Sequence, residues 1–418
     1  MAMGGIRMQR NWKKNLTGLL ILSQLGSGVL AFILSWYVLQ VTNSALSFSQ
    51  VVVPTSIVGL IAAYPIGKII DKYAKNRLML LGQLASILSL AVFAIFHYIH
   101  GEAYLTISIV VLTVCLAICD ELVSSVLFAA AKQIVNSEEE LGTYNSLSQT
   151  IRGICSMVAP LLGGALYKLL SVQAFVLIEI VIESICVIYI YRIKLVNEVQ
   201  TKDTEAEQEP DLSIKDMFKY LTNNKILLHL NNCMFLLNLF LGVFNIGLPF
   251  ILSTNFNDKP FIFGMVNFIF PVGMLTASIL YQTLQPGGNL LKQTIYTWTV
   301  PCFIITLLGV STYILNLKSY LFAFILLLLV FIAGFGMSFG QIPQLTYWQK
   351  KIPEHIQGRF FAMSDSIVKA AIPVSYLLYG VLFDHFNLSA IFIVSGLLGL
   401  AYMLFMFIYV NMLEEERG

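Results

Sequence analysis

Twelve long apolar runs follow one another along the chain, and they restrict the possible folds more than any other feature. A helix needs about 20 apolar residues to cross the hydrocarbon core of a bilayer. Because lipid offers no hydrogen bonds to the backbone, each run is expected to be helical. The sequence therefore predicts an all-α integral membrane protein. Its predicted membrane spans, numbered 1 to 12 in chain order, are 17–41, 48–70, 78–98, 103–130, 143–169, 172–192, 226–252, 260–284, 290–315, 319–346, 360–383 and 388–412.

The composition excludes several other classes of protein. Of the 418 residues, 57% are hydrophobic and only 11% are charged. Soluble proteins carry about 25% charged residues, so the lipid bilayer must be the solvent of this chain. The net charge of +2 is too small to indicate a nucleic-acid partner. No Walker loop, HExxH or GxSxG motif occurs, so we expect no enzyme, cofactor or metal site.

Lysine and arginine are concentrated in alternate loops, which is the pattern of cytoplasmic segments. The basic segments are the N-terminus, the loop between spans 2 and 3, the stretch between the halves, and the loop between spans 10 and 11. The loops of the opposite side carry only Lys168, Lys259 and Lys318. We therefore expect a multi-pass protein of the plasma (inner) membrane, a monomer with both termini in the cytoplasm.

An internal repeat appears when the sequence is shifted by 216 residues, which places Glu138 on Glu354 and Gly164 on Gly380. The repeated segments cross the membrane in the same sense, so the two halves are related by an axis along the membrane normal. The predicted domains are a cytoplasmic N-terminus (1–15), an N-terminal six-helix bundle (16–192), a cytoplasmic linker (193–225), a C-terminal six-helix bundle (226–412) and a cytoplasmic tail (413–418).

A charged motif occupies the loop between spans 2 and 3. It consists of Gly67, Asp71, Lys72, Lys75 and Arg77. Gly67 would let a neighbouring helix approach closely, and Asp71 would accept hydrogen bonds from an opposing helix N-terminus, where the dipole is positive. Such a contact would work as a gate on the cytoplasmic side. The alternative is an ordinary positive-inside loop.

Span 5 contains a proline among small residues, in the order Ala159, Pro160, Gly163 and Gly164. Small residues permit close contact between helices, and proline frees a backbone carbonyl and permits bending. The motif is compatible with a functional bend and equally with generic packing.

The order of these features resembles the macrolide-efflux type of major facilitator exporter. The resemblance rests on Gln24 in span 1, the TNSAL turn (42–46), the Gly67 and Asp71 loop, the segments SEEELG (137–142) and PEHIQGRFFAMSDSI (353–367), and the proline of span 11. The loop between spans 2 and 3 follows the superfamily signature G-x-x-x-D-(R/K)-x-x-x-(R/K). Span 5 keeps G-P-x-x-G-G, which antiporters often carry, except that alanine replaces the first glycine.

The resemblance implies a major facilitator fold of about twelve transmembrane helices and export of a bulky amphipathic small molecule in exchange for protons. It also implies that span 4 lines the central cavity and that span 6 lies outside it. The chain departs from these relatives in one respect. They usually have an arginine within span 4, which would lie near Ala117, and this chain has none.

Span 4 has the carboxyls Asp120 and Glu121, and span 6 has Glu179 and Glu183, one turn apart. A charge within the membrane costs about 2.5–3.5 kcal/mol, so these residues are candidates for proton coupling. Neighbouring helical residues point about 100° apart, so only one of Asp120 and Glu121 is expected to face the cavity. The alternative for Glu179 and Glu183 is a buried pair that stays protonated.

The basic residues within the spans are Arg152 in span 5 and Lys369 in span 11. Arg152 either contacts substrate or forms a structural ion pair with Glu121 or Asp120.

Polar side chains on two spans indicate a cavity. In span 7, Asn231, Asn238 and Asn245 recur every seven residues and therefore lie on one face. Span 1 adds Gln24 and Trp36. An apolar pocket with scattered amides suits a bulky amphipathic solute. The alternative is that the amides join helices by hydrogen bonds.

Three functions remain open from the sequence. The leading one is proton-coupled export of compounds such as macrolides by alternating access. An exporter of an endogenous metabolite, such as a siderophore, peptide or lipid, would use the same fold. A membrane sensor that transports nothing is the third.

Overall fold

The computed structural model describes residues 12–135, 138–193, 214–256 and 259–415, and within them it contains fifteen helices and no strand. The helices are α1 Trp12–Thr42, α2 Ala45–Ile61, α3 Ala63–Lys72, α4 Lys75–His100, α5 Leu105–Ile134, α6 Glu138–Leu166, α7 Val172–Arg192, α8 Ile214–Asn223, α9 Lys225–Asn255, α10 Pro260–Leu284, α11 Leu290–Ile314, α12 Tyr320–Lys351, α13 Glu354–Lys369, α14 Ala371–His385 and α15 Leu388–Glu415.

The described helices have the length and polarity of membrane spans. Ten segments are long and apolar enough to cross a bilayer, and Ala45–Ile61 is apolar but shorter. Large apolar side chains also point away from the protein, as Leu81, Leu88 and Ile95 do on one face of α4, where each is more than 60% exposed. Lipid is the solvent in which such a face is stable. The protein is a multi-span integral membrane protein.

Two predicted spans consist of two helices each. Span 2 comprises α2 and α3, which meet at Ala62, and span 11 comprises α13 and α14, which meet at Ala370. The break at Ala62 is slight, because the Ala62 amide donates to Val58 and the Ala62 carbonyl accepts from Ile66.

Helix boundaries repeat between the two halves. Helix α6 begins at Glu138 and α13 begins at Glu354, 216 residues later. Helices α7 and α15 begin at Val172 and Leu388, again 216 residues apart. The 216-residue repeat of the sequence is thus also a repeat of helix start positions.

The described residues pack into two compact units. Of the described residues, the first unit contains those within 12–41 and 50–193, and the second those within 42–49 and 214–415. Most of the linker lies outside the described residues, but its end forms the amphipathic helix α8. Met217 and Leu221 of α8 are buried against Leu227 and Ile356 of the second unit, whereas Phe218 is exposed.

The segment Thr42–Ser49 belongs to the second unit although the chain enters α2 through it. The carboxylate of Asp384, near the end of α14, accepts from the Ser44 hydroxyl at 2.6 Å and from the amides of Ala45 at 2.6 Å and Leu46 at 3.3 Å. A carboxylate in this position satisfies amides that have no partner within the helix and lies at the positive end of the dipole. Asp384 therefore caps α2.

Candidate functional site

Asp120 of α5 is partly buried in the first unit, and Glu179 and Glu183 of α7 are buried there. Gln83 of α4 lines a cavity with Asp120 and donates to the backbone carbonyl of Glu183. Glu179 is 3% exposed and Glu183 is 2% exposed. Oε1 of Glu179 and Oε2 of Glu183 have no hydrogen-bond partner among the described residues. An ionised carboxylate in such a place costs several kcal/mol unless a cation pairs with it.

Neighbouring helices hold this cluster of Asp120, Glu179 and Glu183, here called the carboxyl cluster. A Cβ placed on Gly26 of α1 would lie 2.5 Å from Oε2 of Glu179. Only a residue without a side chain allows α1 to come so near. Gln83 of α4 donates to the Glu183 carbonyl at 3.5 Å.

Asp120 and Glu121 have different surroundings. Asp120 lines a small cavity of about 20 Å³ together with Gln24, Gln83 and Arg152. This volume is enough for about one water molecule. Glu121 does not line that cavity, and its Oε1 accepts from Ser125 of the same helix at 3.2 Å.

Arg152 lies between two cavities of the first unit. It lines the small one beside Asp120 and also a larger one of about 530 Å³ with Gly67 and Gln149. Within the described part of the chain, Arg152 forms no ion pair with Asp120 or Glu121. The structural ion pair that the sequence left open for Arg152 is therefore not formed.

The gate residues are only partly described, because nothing can be said of the Asp71 side chain. Lys75 donates to the carbonyl of Ala129 near the end of α5 at 2.8 Å. Lys72 lies 5.7 Å from the ring centre of Tyr73, and Arg77 is exposed. No described atom lies within 4 Å of a Cβ placed on Gly67, so the close helix approach expected there is wrong for this structure.

The small residues of span 5 bring α6 against α1. A Cβ on Gly163 would lie 2.7 Å from the Phe32 ring, and one on Gly28 would lie 2.7 Å from Ala159. Gly164 is buried, and α6 continues through Pro160. The motif serves close packing in this structure.

The second unit contains a cavity of about 490 Å³ between α9, α10, α12, α13 and α14. Its wall is mainly apolar and aromatic and includes Phe244, Phe263, Phe270 and Met337. Ligand pockets for drug-sized molecules have about 300–1,000 Å³ and a similar wall. This space can therefore hold part or all of a bulky solute.

Two of the three asparagines in α9 line this second-unit cavity, namely Asn238 and Asn245. Asn231 is 1% exposed and does not line it. Trp36 of the first unit has no exposed surface and stacks on Phe32.

Several polar residues line the second-unit cavity although the sequence analysis did not assign them to a cavity. Asn267 of α10 and Tyr376 of α14 line it, and so do Asp365 and Lys369 of α13, whose side chains pair at 2.7 Å. An asparagine within the apolar part of span 8 and opposite charges one turn apart in span 11 are the available signals. Neither pattern shows by itself which helices meet.

The amino-acid sequence matches a known family of proteins. The family model of the Major Facilitator Superfamily matches residues 16–375. Macrolide efflux protein A of Streptococcus pyogenes is 24% identical over 382 residues, which is 90% of each chain. A protein of the same name from Enterococcus faecalis is 27% identical over 251 residues, 59% of this chain and 73% of its own.

Solved transporter structures share the fold. A bacterial homologue of the iron transporter ferroportin, in its inward-facing state, superimposes with a TM-score of 0.70 at 17% identity and covers 95% of this chain and 98% of its own. A D-xylose–proton symporter superimposes with a TM-score of 0.66 at 15% identity, covering 94% and 96%. The chain is a membrane transporter and belongs to the Major Facilitator Superfamily.

Proposed function

We propose that this transporter exports bulky amphipathic compounds, macrolides among them, in exchange for protons. The observation that carries the proposal is the carboxyl cluster, which lies in the first unit without a paired cation among the described residues. A carboxyl in such surroundings is stable only in its neutral form, and it can lose its proton once water reaches it. Alternation between these two conditions is what a proton carrier requires.

The membrane potential can supply the energy that drives the cargo against its concentration gradient. One proton moving down 100 mV yields about 2.3 kcal/mol. Asp120 is the member of the carboxyl cluster that shares a small cavity with polar residues of three other helices, including Gln24 and Arg152. We place it first in the proton path, with Glu179 and Glu183 behind it and Glu121 as a further candidate.

The cargo is inferred from the second-unit cavity and from the relatives. The cavity has the volume and the apolar wall that suit a bulky amphipathic solute. Two relatives that match this chain are named as macrolide efflux proteins, which supports outward transport. The proposed gate would close the cytoplasmic side; its residues are Gly67, Asp71, Lys72, Lys75 and Arg77. Of these, Lys75 donates a hydrogen bond to α5.

The test is a susceptibility panel of macrolides, cationic dyes and quinolones in a bacterial host stripped of its own pumps. Asp120→Asn and Glu179→Gln are the test variants. Glu102→Gln is the control, because Glu102 is an exposed carboxyl that accepts a hydrogen bond from Tyr37. We expect protection from the wild type and the control that a protonophore abolishes, and loss of protection in both test variants at equal expression.

Two outcomes would change the proposal. Full protection by Asp120→Asn and Glu179→Gln would remove the carboxyl cluster from proton coupling. No protection against any compound, at good membrane expression, would favour an endogenous metabolite as cargo.

A further inference from the structure

The side-chain amides of the three asparagines that line the second-unit cavity all have the same orientation, with the NH₂ group towards the backbone of their own helix. Nδ2 of Asn238, Asn245 and Asn267 donates to the backbone carbonyl four residues earlier, at 3.0, 3.3 and 2.9 Å. A carbonyl oxygen can only accept a hydrogen bond, so the NH₂ group must be the end that meets it. The amide oxygens are therefore the ends left for a ligand.

These three oxygens accept no hydrogen bond from any described residue. The carboxylate of Asp365 adds further acceptors to the same wall. Gln341 and Tyr376 also line the cavity. Each can donate or accept a hydrogen bond, so neither changes the excess of acceptors over donors on the wall. Among the described residues that line the cavity, Lys369 is the one with a cationic side chain, and that side chain pairs with Asp365.

We infer that the second-unit cavity binds solutes that carry a protonated amine and further hydrogen-bond donors on an apolar body. Asp365 is the counterion of the amine, and the three asparagine oxygens accept from the donors. The inference rests on the proposed function, because it names the class of compound that the exporter accepts. Asp365 and Lys369 are 58% and 57% exposed, so an incoming ammonium can reach the carboxylate and compete with the lysine.

Two dyes that share one apolar body but differ in charge test this inference on the purified protein. Dansylcadaverine has an apolar ring system and a primary ammonium, and N-acetyl-dansylcadaverine is its uncharged acetamide. An ion pair between exposed groups is worth up to about 1 kcal/mol, so we expect the wild type to prefer the amine by up to about fivefold. Asp365→Asn should abolish this preference. Lys369→Gln should increase it, because the carboxylate loses its internal partner.

Asparagine variants provide a matched pair. Asn245→Leu removes one acceptor from the cavity and should weaken binding of the amine. Asn255→Leu is the control, because Asn255 makes the same bond to the carbonyl four residues earlier, at 2.9 Å, outside the cavity. Equal losses in the two variants would contradict a role for the cavity oxygens.

Further results would overturn the inference. These are equal binding of both dyes by the folded wild type, binding of neither, a preference that survives in Asp365→Asn, or weaker amine binding by Lys369→Gln. Binding to the purified protein requires neither a gradient nor export. Loss of proton-driven flux with intact dye preference would thus refute the proposed function alone, and proton-driven flux without dye preference would refute this inference alone.

Discussion

At the scale of single residues, Gly26 is decisive for the carboxyl cluster. Gly26→Ala would place a methyl group 2.5 Å from Oε2 of Glu179 and force that carboxyl to move. Overpacking of this kind costs about 1–3 kcal/mol, so we expect a lower melting temperature in detergent and impaired proton-coupled flux.

Gly59→Ala in α2 is the control for this substitution, because a Cβ there meets no described atom within 4 Å. Alanine is the better helix former by about 1 kcal/mol, so this control should be neutral or stabilising. If both alanine variants behave alike, Gly26 has no special role in placing Glu179.

The carboxyls of the carboxyl cluster could be recognised in the sequence because charges are rare in apolar runs. Their partners could not. The sequence shows that Asp120 and Glu121 point in different directions, but only the packing of α5 against its neighbours turns Asp120 towards Gln24 and Arg152. Nothing in the sequence of α1 marks Gly26, rather than another glycine, as the residue that meets Glu179.

At the scale of elements, the cap of α2 is a separate, testable contact. Asp384→Ala removes the acceptor of the Ala45 and Leu46 amides, and loss of such a cap costs about 0.5–2 kcal/mol. We expect faster hydrogen exchange over residues 44–49, with Asp384→Asn in between because its amide oxygen can still accept. Exchange at the start of α9, which Asn224 caps, should stay unchanged. Unchanged exchange over 44–49 in Asp384→Ala would contradict the capping role.

The existence of the helices followed from the apolar runs, but their ends did not. Span 1 was predicted as 17–41, whereas α1 is Trp12–Thr42, because a helix continues into the interface where its side chains are no longer apolar. Span 5 was predicted as 143–169, whereas α6 is Glu138–Leu166. The first half of α6 is polar, so hydropathy detects it poorly although it is long enough to span.

At the scale of the whole molecule, the 216-residue repeat is the sequence feature that best predicts the architecture. It predicted the major facilitator fold, which the family match confirms. The segment 42–49 could not be assigned in this way, since it belongs to the first half by sequence and to the second unit by packing. The reason is a contact distant in sequence, between Asp384 and Ser44, that no repeat or periodicity encodes.

The orientation of the whole molecule is the remaining prediction. Moving a cationic side chain outward against a membrane potential that is negative inside costs about 2.3 kcal/mol per 100 mV. The loop with Lys72, Lys75 and Arg77 should therefore stay in the cytoplasm, and the turn at Gly101 should lie outside. Alkaline phosphatase inserted after Gly101 should be active and after Ala74 inactive, whereas a C-terminal green fluorescent protein should fluoresce. The reverse pattern of phosphatase activity would show that the protein has the opposite topology. A proton gradient would then drive transport in the opposite direction.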